Sequence, residues 1–335
     1  MRDFCEKDYL AAGAAIIDKI PEFEAIGEAL REKPFQQIVV PVIGGTWARW
    51  FPVVKVMSEL TELPVKLENA ADFCLHPTKG LGENTLVFTA SNSGNTKEIV
   101  AAAKLSLERG ATVVSVGDYE TCELEQHSSY YVGVPMRYGE YMYLVFFLTA
   151  LSVLAKRGEF ADYPLWIEQM KKLPAALIKA KEKFDPQAAV IAKKLVKAPY
   201  MVLVSSGLLE KISYWYALCV LEECQWLHAN SVSSADFFHG TLELMEDGLP
   251  VLLVKGVDEY RALDERVEKF VEKTSDSLLV LDTADYPLEG LDPRFAPMYA
   301  LFVAASLLSE RLEVYLELNS GHSLHFRRYY RKVEY

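Results

Sequence analysis

A short polar turn holds the residues best suited to bind a charged ligand. It covers Ser91–Thr96, reads Ser-Asn-Ser-Gly-Asn-Thr, and follows a run of apolar and β-branched residues. From Thr96 onward the apolar residues are spaced as one face of a helix. A strand that passes into a helix N-terminus directs free backbone N–H groups and the positive end of the helix dipole at one point. Gly94 allows close approach of a ligand, and further donors are the hydroxyls of Ser91, Ser93 and Thr96. The turn is therefore either a phosphate cradle or an ordinary helix cap.

Glu223 is the first candidate for acid–base chemistry. It lies near the end of a predicted helix, among the apolar neighbours Val220, Leu221, Trp226 and Leu227. A carboxylate there is either a partly buried general base with a raised pKa or a residue on the solvent-exposed face of the helix. Glu222 beside it points about 100° away around the helix, so only one of the two is expected to act. The residues alone do not choose between them.

A histidine and a glycine turn complete the candidates. His239 precedes Gly240 and is predicted at a junction between a loop and a helix; a lone histidine is more often structural. His228, five residues after Glu223, is expected to be structural. Gly44, Gly45 and Thr46 follow a buried-strand run, and they form either a tight turn or a ligand-contacting loop.

The elements that position these residues read as a duplicated α/β plan. Strand-like runs are continuous rather than alternating and are separated by helices, which is typical of a parallel sheet covered on both faces. In the first half they lie at residues 37–45, 64–67, 86–90, 111–117 and 130–134, and in the second half at 200–207, 250–256 and 277–283. Ligands of such sheets bind beyond the carboxyl ends of the strands, where the Ser/Gly turns at residues 91–94 and 205–207 are expected.

Composition excludes several classes of protein. The 335 residues carry a net charge of −12, which argues against a nucleic-acid or anionic-membrane partner. The N-terminus lacks the apolar core of a signal peptide, and the longest apolar run, Tyr141 to Ala155, is short for a membrane span. The five cysteines are scattered, which predicts structural thiols in a reducing cytoplasm, and no spacing indicates a metal or cofactor.

Three motifs resemble the sugar isomerase (SIS) domain family. They are the Ser-x-Ser-Gly-x-Thr turn at residues 91–96, the segment Glu223 to Ala229, and Asp236 to Glu243. The duplicated layout is similar to that of tandem-SIS enzymes, and the ending Arg327 to Tyr335 is similar to the tail of fructosamine-6-phosphate and fructoselysine-6-phosphate deglycases. The resemblance implies two SIS domains, each a flavodoxin-like parallel sheet in a three-layer αβα arrangement. The bounds are an N-terminal helical segment 1–34, SIS domains at 35–160 and 198–325, linker helices at 161–197, and a tail at 326–335 over the active site.

The resemblance also implies roles for the candidates. Glu223 and His239 would be catalytic, with His239 reaching the pocket of a neighbouring subunit in a homodimer or larger assembly. The substrate phosphate would bind Ser91, Asn92, Ser93 and Thr96, and the sugar would contact Gly44, Gly45 and Thr46. The aminotransferring isomerases carry a lysine where this chain has Val220, a change that favours cleavage of 6-phosphofructosyl amines. The alternatives are an aldose–ketose isomerase and a non-catalytic sugar-phosphate sensor. Thr241 stands where the family usually has proline.

Overall fold

A computed structural model describes residues 1–334 of the chain and divides it into two units. The first unit comprises residues 6–174, and the second comprises residues 1–5 together with residues 175 onward. Each unit is built around its own parallel sheet.

The sheet of the first unit has five strands in the order β2-β1-β3-β4-β5, all parallel. This is the strand order of flavodoxin-like folds, as predicted. The strands are β1 (Gln37–Val42), β2 (Val65–Asn69), β3 (Thr85–Ser91), β4 (Thr112–Gly117) and β5 (Tyr130–Gly133). Every residue of β3 and β4 is buried, which explains why these strands read as continuous apolar runs.

Helices cover both faces of this sheet. They are α1 (Glu6–Asp18), α2 (Ile20–Leu30), α3 (Gly44–Leu60), α4 (Ala70–Leu75), α5 (Lys97–Glu108), α6 (Glu123–Gln126), α7 (Gly139–Lys156) and α8 (Tyr163–Met170). Val87 points to one face and packs with Ile99 of α5. The next residue, Phe88, points to the other face, where it stacks on Trp50 of α3 at 5.9 Å between ring centroids. The predicted three-layer arrangement follows from this alternation.

The second unit repeats the plan with four parallel strands in the order β7-β6-β8-β9. They are β6 (Met201–Ser205), β7 (Ala229–Ser233), β8 (Val251–Lys255) and β9 (Leu278–Asp282). One face packs against α11 (Arg261–Thr274) through Val267 and Val271. The order matches the first four strands of the other sheet, as the predicted duplication requires.

The remaining helices of the chain differ from the sequence prediction in detail. They are α9 (Leu173–Leu195), α10 (Glu210–Tyr216), α12 (Ala296–Leu307) and α13 (Glu313–Ser320), with π-helical segments at Ala217–Glu222 and Leu308–Leu312. Helix α9 continues through Pro186. The helix that was predicted to carry Glu223 near its end instead changes to a π-helix, which ends at Glu222. Such π-helical turns are frequent at functional sites.

The division into units falls between Pro174 and Ala175, inside the segment predicted as linker helices. Helices α1 and α2 belong to the first unit, where the Tyr9 hydroxyl donates to Glu140 of α7 at 2.8 Å. The bounds at 34, 160, 197 and 325 stay predictions.

Two stretches are long and apolar enough to cross a membrane, namely Gly139–Lys156 and Pro293–Ser320. Their apolar windows are 89% and 83% buried, as in core helices. These stretches are therefore weak evidence for a membrane span.

Candidate active site

The polar turn Ser91–Thr96 joins β3 to α5 in the first unit. Thr96 is the N-cap residue of α5, but its side chain does not cap the helix. Its hydroxyl is instead 2.9 Å from the hydroxyl of Ser91. The backbone N–H of Asn95 has no hydrogen-bond partner among residues 1–334. The turn thus combines paired hydroxyls with an unpaired N–H group beside a helix N-terminus, an arrangement that suits a phosphate.

Gly94 is required at its position for two reasons. Its φ angle is +66°, in the left-handed region that favours glycine. A Cβ atom at residue 94 would also overlap the side chain of Cys122. Further bonds hold the turn, because the Gly94 N–H donates to the Ser91 carbonyl at 3.1 Å and the Leu124 N–H donates to the Gly94 carbonyl at 2.9 Å. The turn is therefore shaped before any ligand binds.

The glycine turn after β1 opens α3 in the same unit. Gly44 has a φ angle of +60°, and a Cβ atom there would meet nothing within 4 Å. The residue before it, Ile43, provides no side-chain cap for α3. Because β1 and β3 are neighbouring parallel strands, their following turns lie at the same edge of the sheet. Gly44, Gly45 and Thr46 are therefore placed on the same edge as Ser91–Thr96.

The glycine turn after β6 in the second unit is filled by a side chain. By strand order β6 corresponds to β1, and Gly207 after β6 has a φ angle of +60°, the same as that of Gly44 after β1. The Leu208 N–H donates to Oδ2 of Asp258 at 3.0 Å, and a Cβ atom on Gly207 would overlap that carboxylate. Oδ1 of Asp258 accepts from the Tyr260 N–H at 3.1 Å. A carboxylate of the chain itself thus occupies this anion-binding turn.

Glu223 lies immediately after the π-helical segment and lines a cavity of about 450 Å³ in the second unit. The walls come from Glu222–Glu223, Trp226–His228 and the tail residues Arg327–Tyr330. Oε1 of Glu223 accepts from Nε of Arg327 at 2.7 Å, and the side chain is 32% exposed. Burial raises the pKa of the neighbouring Glu222 carboxyl, although the coulombic effect of His228 lowers it.

Cys224, the residue that follows Glu223, points into the protein interior. Cys224 is buried, and its thiol donates to the Cys219 carbonyl at 2.9 Å. Burial raises the pKa of this thiol to about 12, so it stays protonated and unreactive near neutral pH. Cys224 fits the predicted structural role, and all five cysteines are free thiols.

The chain from Ser320 onward, which leads into the tail, is bonded to the segment that carries Glu223. Buried Gln225 donates to the His322 carbonyl at 2.7 Å and accepts from the Ser320 hydroxyl at 2.7 Å. Trp226 has a φ angle of +56°, which is rare for a large residue and marks local strain. The Trp226 ring contacts His322 edge-on at 4.3 Å and lies under the Arg328 guanidinium at 4.3 Å. The tail therefore forms one wall of the Glu223 cavity.

The two candidate histidines have different surroundings. His239 is exposed on a short 3₁₀ helix, Asp236–His239, and its side chain has no partner within residues 1–334. It does not line the Glu223 cavity, whereas His228, expected to be structural, does. Within one chain, therefore, His228 rather than His239 accompanies Glu223.

Sequence reasoning missed the residues that depend on contacts distant in the chain. Arg327 and Arg328 were noted only as part of a family-like tail, and Asp258 was not noted at all. A signal existed for the tail, since adjacent arginines stand out in an acidic chain. Nothing in the local sequence marks Asp258. Within residues 1–334 no group of three or more His, Cys, Asp or Glu side chains is arranged to hold a metal.

Comparison with known proteins identifies a SIS domain at residues 54–156. Fructosamine deglycase FrlB of Bacillus subtilis is 29% identical over 324 residues, which cover 94% of this chain and 97% of that protein. Fructoselysine 6-phosphate deglycase of Escherichia coli K12 is 24% identical over 312 residues, 93% of this chain and 90% of that protein. Both relatives span both units of the chain.

A solved structure shows the same fold. It is a Bacillus subtilis protein provisionally assigned as a phosphosugar isomerase, with a TM-score of 0.90 and 27% identity. The match covers 96% of this chain and all of that chain.

Proposed function

We propose that this chain, which is a SIS-domain protein, is a deglycase of 6-phosphofructosyl amines that releases glucose 6-phosphate and an amino acid or amine. The observation that carries the proposal is Glu223, a carboxylate on the wall of a cavity large enough for a sugar derivative. Its partner Arg327 comes from the tail that resembles those of deglycases. The near full-length likeness to two deglycases supports the same activity.

The polar turn binds the phosphate of the substrate. The hydroxyls of Ser91, Ser93 and Thr96, with Asn92 and the N-terminus of α5, supply donors for its oxygens. Gly44, Gly45 and Thr46 contact the sugar. Binding energy from this remote group holds the reacting end in place and lowers the entropy lost on reaching the transition state.

Glu223 transfers the proton. The substrate carries a ketone at C2 and the amine on C1, so Glu223 removes a proton from C1 while the C2 oxygen gains one, which forms an enaminol. Return of the proton to C2 forms an aldimine at C1. Water then adds to C1, and the C–N bond breaks with the electron pair leaving on the nitrogen. The products are glucose 6-phosphate and the free amine, and no cofactor or metal takes part in these steps.

His239 opens the sugar ring by moving a proton at the ring oxygen or O5. Its exposure and lack of partners within residues 1–334 support a role in the pocket of a neighbouring subunit. The functional assembly is then a homodimer or larger oligomer, and we place it in the cytoplasm. His228 is the competing candidate, because it lines the Glu223 cavity of its own chain.

A coupled assay for glucose 6-phosphate on several 6-phosphofructosyl amino acids tests the proposal. We expect turnover of at least one substrate, and a loss of about 10²–10⁴-fold in kcat for Glu223→Gln. Ser91→Ala should lower kcat/KM by about tenfold, because the turn binds the phosphate whose binding energy positions the reacting end. Ser106→Ala is the control, since this hydroxyl donates to the Ala102 carbonyl within α5. No turnover, or an active Glu223→Gln, contradicts the proposal.

Mixed oligomers separate the two histidines. If His239 acts in a partner's pocket, Glu223→Gln and His239→Ala chains are each inactive, and their co-expression restores activity because hybrid dimers contain one intact site. His228→Ala should then remain active. If His228→Ala is inactive and mixing restores nothing, the catalytic histidine is His228.

A phosphosugar isomerase is the second candidate, favoured by the provisional assignment of the solved Bacillus subtilis protein. The same proton transfer by Glu223 without hydrolysis would interconvert an aldose and a ketose. Fructose 6-phosphate, which lacks the amine, discriminates between the two. Interconversion with glucose 6-phosphate at a rate above that of every amine adduct would favour the isomerase.

A further inference from the structure

Two arginines of the tail, Arg327 and Arg328, line the Glu223 cavity, and each has N–H donors without an acceptor among residues 1–334. Nε of Arg327 donates to Glu223 at 2.7 Å, and Nη1 donates to the carbonyls of Leu324 and Phe326 at 2.8 Å each. Nη2 of Arg327 has no partner among residues 1–334. The Nη2 hydrogens share the Nε edge of the guanidinium, so this edge can accommodate a second oxygen anion beside Glu223.

Arg328 has no counter-ion at all in the described chain. Its guanidinium lies over the Trp226 ring at 4.3 Å, with no ion pair or hydrogen bond within residues 1–334. Stacking uses the face of the guanidinium and leaves its N–H groups, which lie in the plane, available for a planar anion. An uncompensated cation on the wall of a cavity, in a chain of net charge −12, indicates an anionic ligand group.

The other charges on the wall define the ligand further. Glu222 lines the same cavity and forms no salt bridge in the described residues, although it is within the coulombic influence of His228. A carboxylate therefore faces the ligand as well as the Arg328 guanidinium. A ketoamine nitrogen is basic, and it is an ammonium in much of the neutral range. A zwitterionic group, with ammonium and carboxylate close together, therefore matches the cavity in both charges.

We propose that the amine half of the substrate is an α-amino acid, whose carboxylate binds to Arg328 and to the Nη2 edge of Arg327. This inference rests on the proposed deglycase function. Arg327 touches Glu223 itself, so its ligand must lie near the carbon at which Glu223 acts. In an α-linked adduct the carboxylate is only two bonds from the reacting nitrogen, whereas in an adduct on a lysine side chain it is six bonds away. Arg327 and Arg328 are thus substrate-specificity residues.

A pair of substrates that differ by one charge tests this inference. They are 6-phosphofructosyl glycine and 6-phosphofructosyl glycinamide, which share the sugar, the phosphate and nearly the same volume. We expect wild-type kcat/KM to favour the glycine adduct by at least about tenfold, the scale of one charge-assisted hydrogen-bonded pair. Arg328→Gln should bring the ratio of the two kcat/KM values toward one. Arg328→Lys should retain part of it, since the charge remains but the planar fork is lost.

Arg331→Gln is the matched control. Arg331 belongs to the same tail, with its guanidinium 5.4 Å from the Tyr330 ring, but it does not line the cavity. The ratio should keep its wild-type value in this variant. Equal wild-type kcat/KM for the two adducts would overturn the inference. A loss in Arg328→Gln that is the same for both adducts would also overturn it, because the arginine would then bind the sugar phosphate or support the fold.

Failure of the proposed function is distinguishable from failure of this inference. If neither adduct is turned over, the deglycase assignment is wrong, and calorimetric Kd values for the same pair decide carboxylate recognition. Tighter binding of the glycine adduct that is lost in Arg328→Gln supports the arginine site. Equal Kd values for the two adducts overturn it.

Discussion

Asp258 accepts a hydrogen bond from the backbone N–H of Leu208 at 3.0 Å and fills the glycine turn at Gly207. Gly207 follows β6 and has a φ angle of +60°, and Gly94, in the polar turn after β3, has a φ angle of +66°. At the Gly207 turn the following N–H, that of Leu208, donates to Asp258, whereas at the Gly94 turn the following N–H, that of Asn95, has no partner in residues 1–334. One turn is therefore satisfied internally and the other is left for a ligand.

Removal of the Asp258 carboxylate should destabilise the second unit. Asp258→Ala leaves the N–H groups of Leu208 and Tyr260 without their acceptor, and we expect the free energy of unfolding to fall by about 1–3 kcal/mol. Urea denaturation measures this change. Glu259→Ala is the control, because Glu259 is exposed and makes no bond among residues 1–334. Equal stability of the two variants would show that water replaces the carboxylate without cost.

Substitution of Gly94 should damage phosphate binding as well as stability. In Gly94→Ala the backbone of an alanine must adopt a left-handed conformation and its methyl group would overlap Cys122, so the turn has to move. Gly158→Ala isolates the conformational cost, since Gly158 has a φ angle of +81° with nothing within 4 Å of the added atom. We expect Gly158→Ala to lose about 1 kcal/mol of stability, and Gly94→Ala to lose more and to bind a phosphosugar more weakly. Calorimetry and denaturation measure the two effects, and an unchanged Kd in Gly94→Ala would argue against the phosphate role of the turn.

The ion-pair network at the end of β9 should make stability depend on pH. Burial alone would raise the pKa of Asp282, but the bonds from the Arg261 guanidinium at 2.6 and 2.8 Å and the Ala284 N–H outweigh it and hold the pKa below its usual value of 3.8. A depressed carboxyl pKa contributes stability that is present above the unfolded-state pKa and is lost as the pH falls through the folded-state pKa.

Asp282→Asn should therefore reduce the free energy of unfolding by about 1–3 kcal/mol at pH 7. The difference from wild type should shrink as the pH falls below about 4, where the unfolded carboxyl becomes protonated. Denaturation at several pH values follows the change. Asp285→Asn should have no effect at any pH, because Asp285 is exposed at the following 3₁₀ turn. A difference for Asp282→Asn that is constant down to pH 2 would mean that charge plays no part.

The sequence predicted the elements whose signal is local. Helix α7 (Gly139–Lys156) contains the apolar run from Tyr141 to Ala155 that stands out in the sequence, and β4 was expected within one residue of Thr112–Gly117. Both are continuous apolar segments, because elements that are buried on every side consist almost entirely of apolar residues and can be recognised from the sequence. Strand β7 was not predicted, because Ala229–Ser233 is half-buried and polar and gives no continuous apolar run. This composition is typical of a strand at the edge of a sheet.

By itself, then, the sequence determined the duplicated parallel fold, the polar turn at Ser91–Thr96 and the candidacy of Glu223. These follow from short-range patterns and from motif resemblance. Only the tertiary structure decided which charges meet: it brings Arg327 to Glu223 across 104 residues and Asp258 to Leu208 across 50. It also left His239 exposed and placed His228 in the Glu223 cavity. Contacts of this kind depend on how separate elements pack, and no local pattern of residues encodes them.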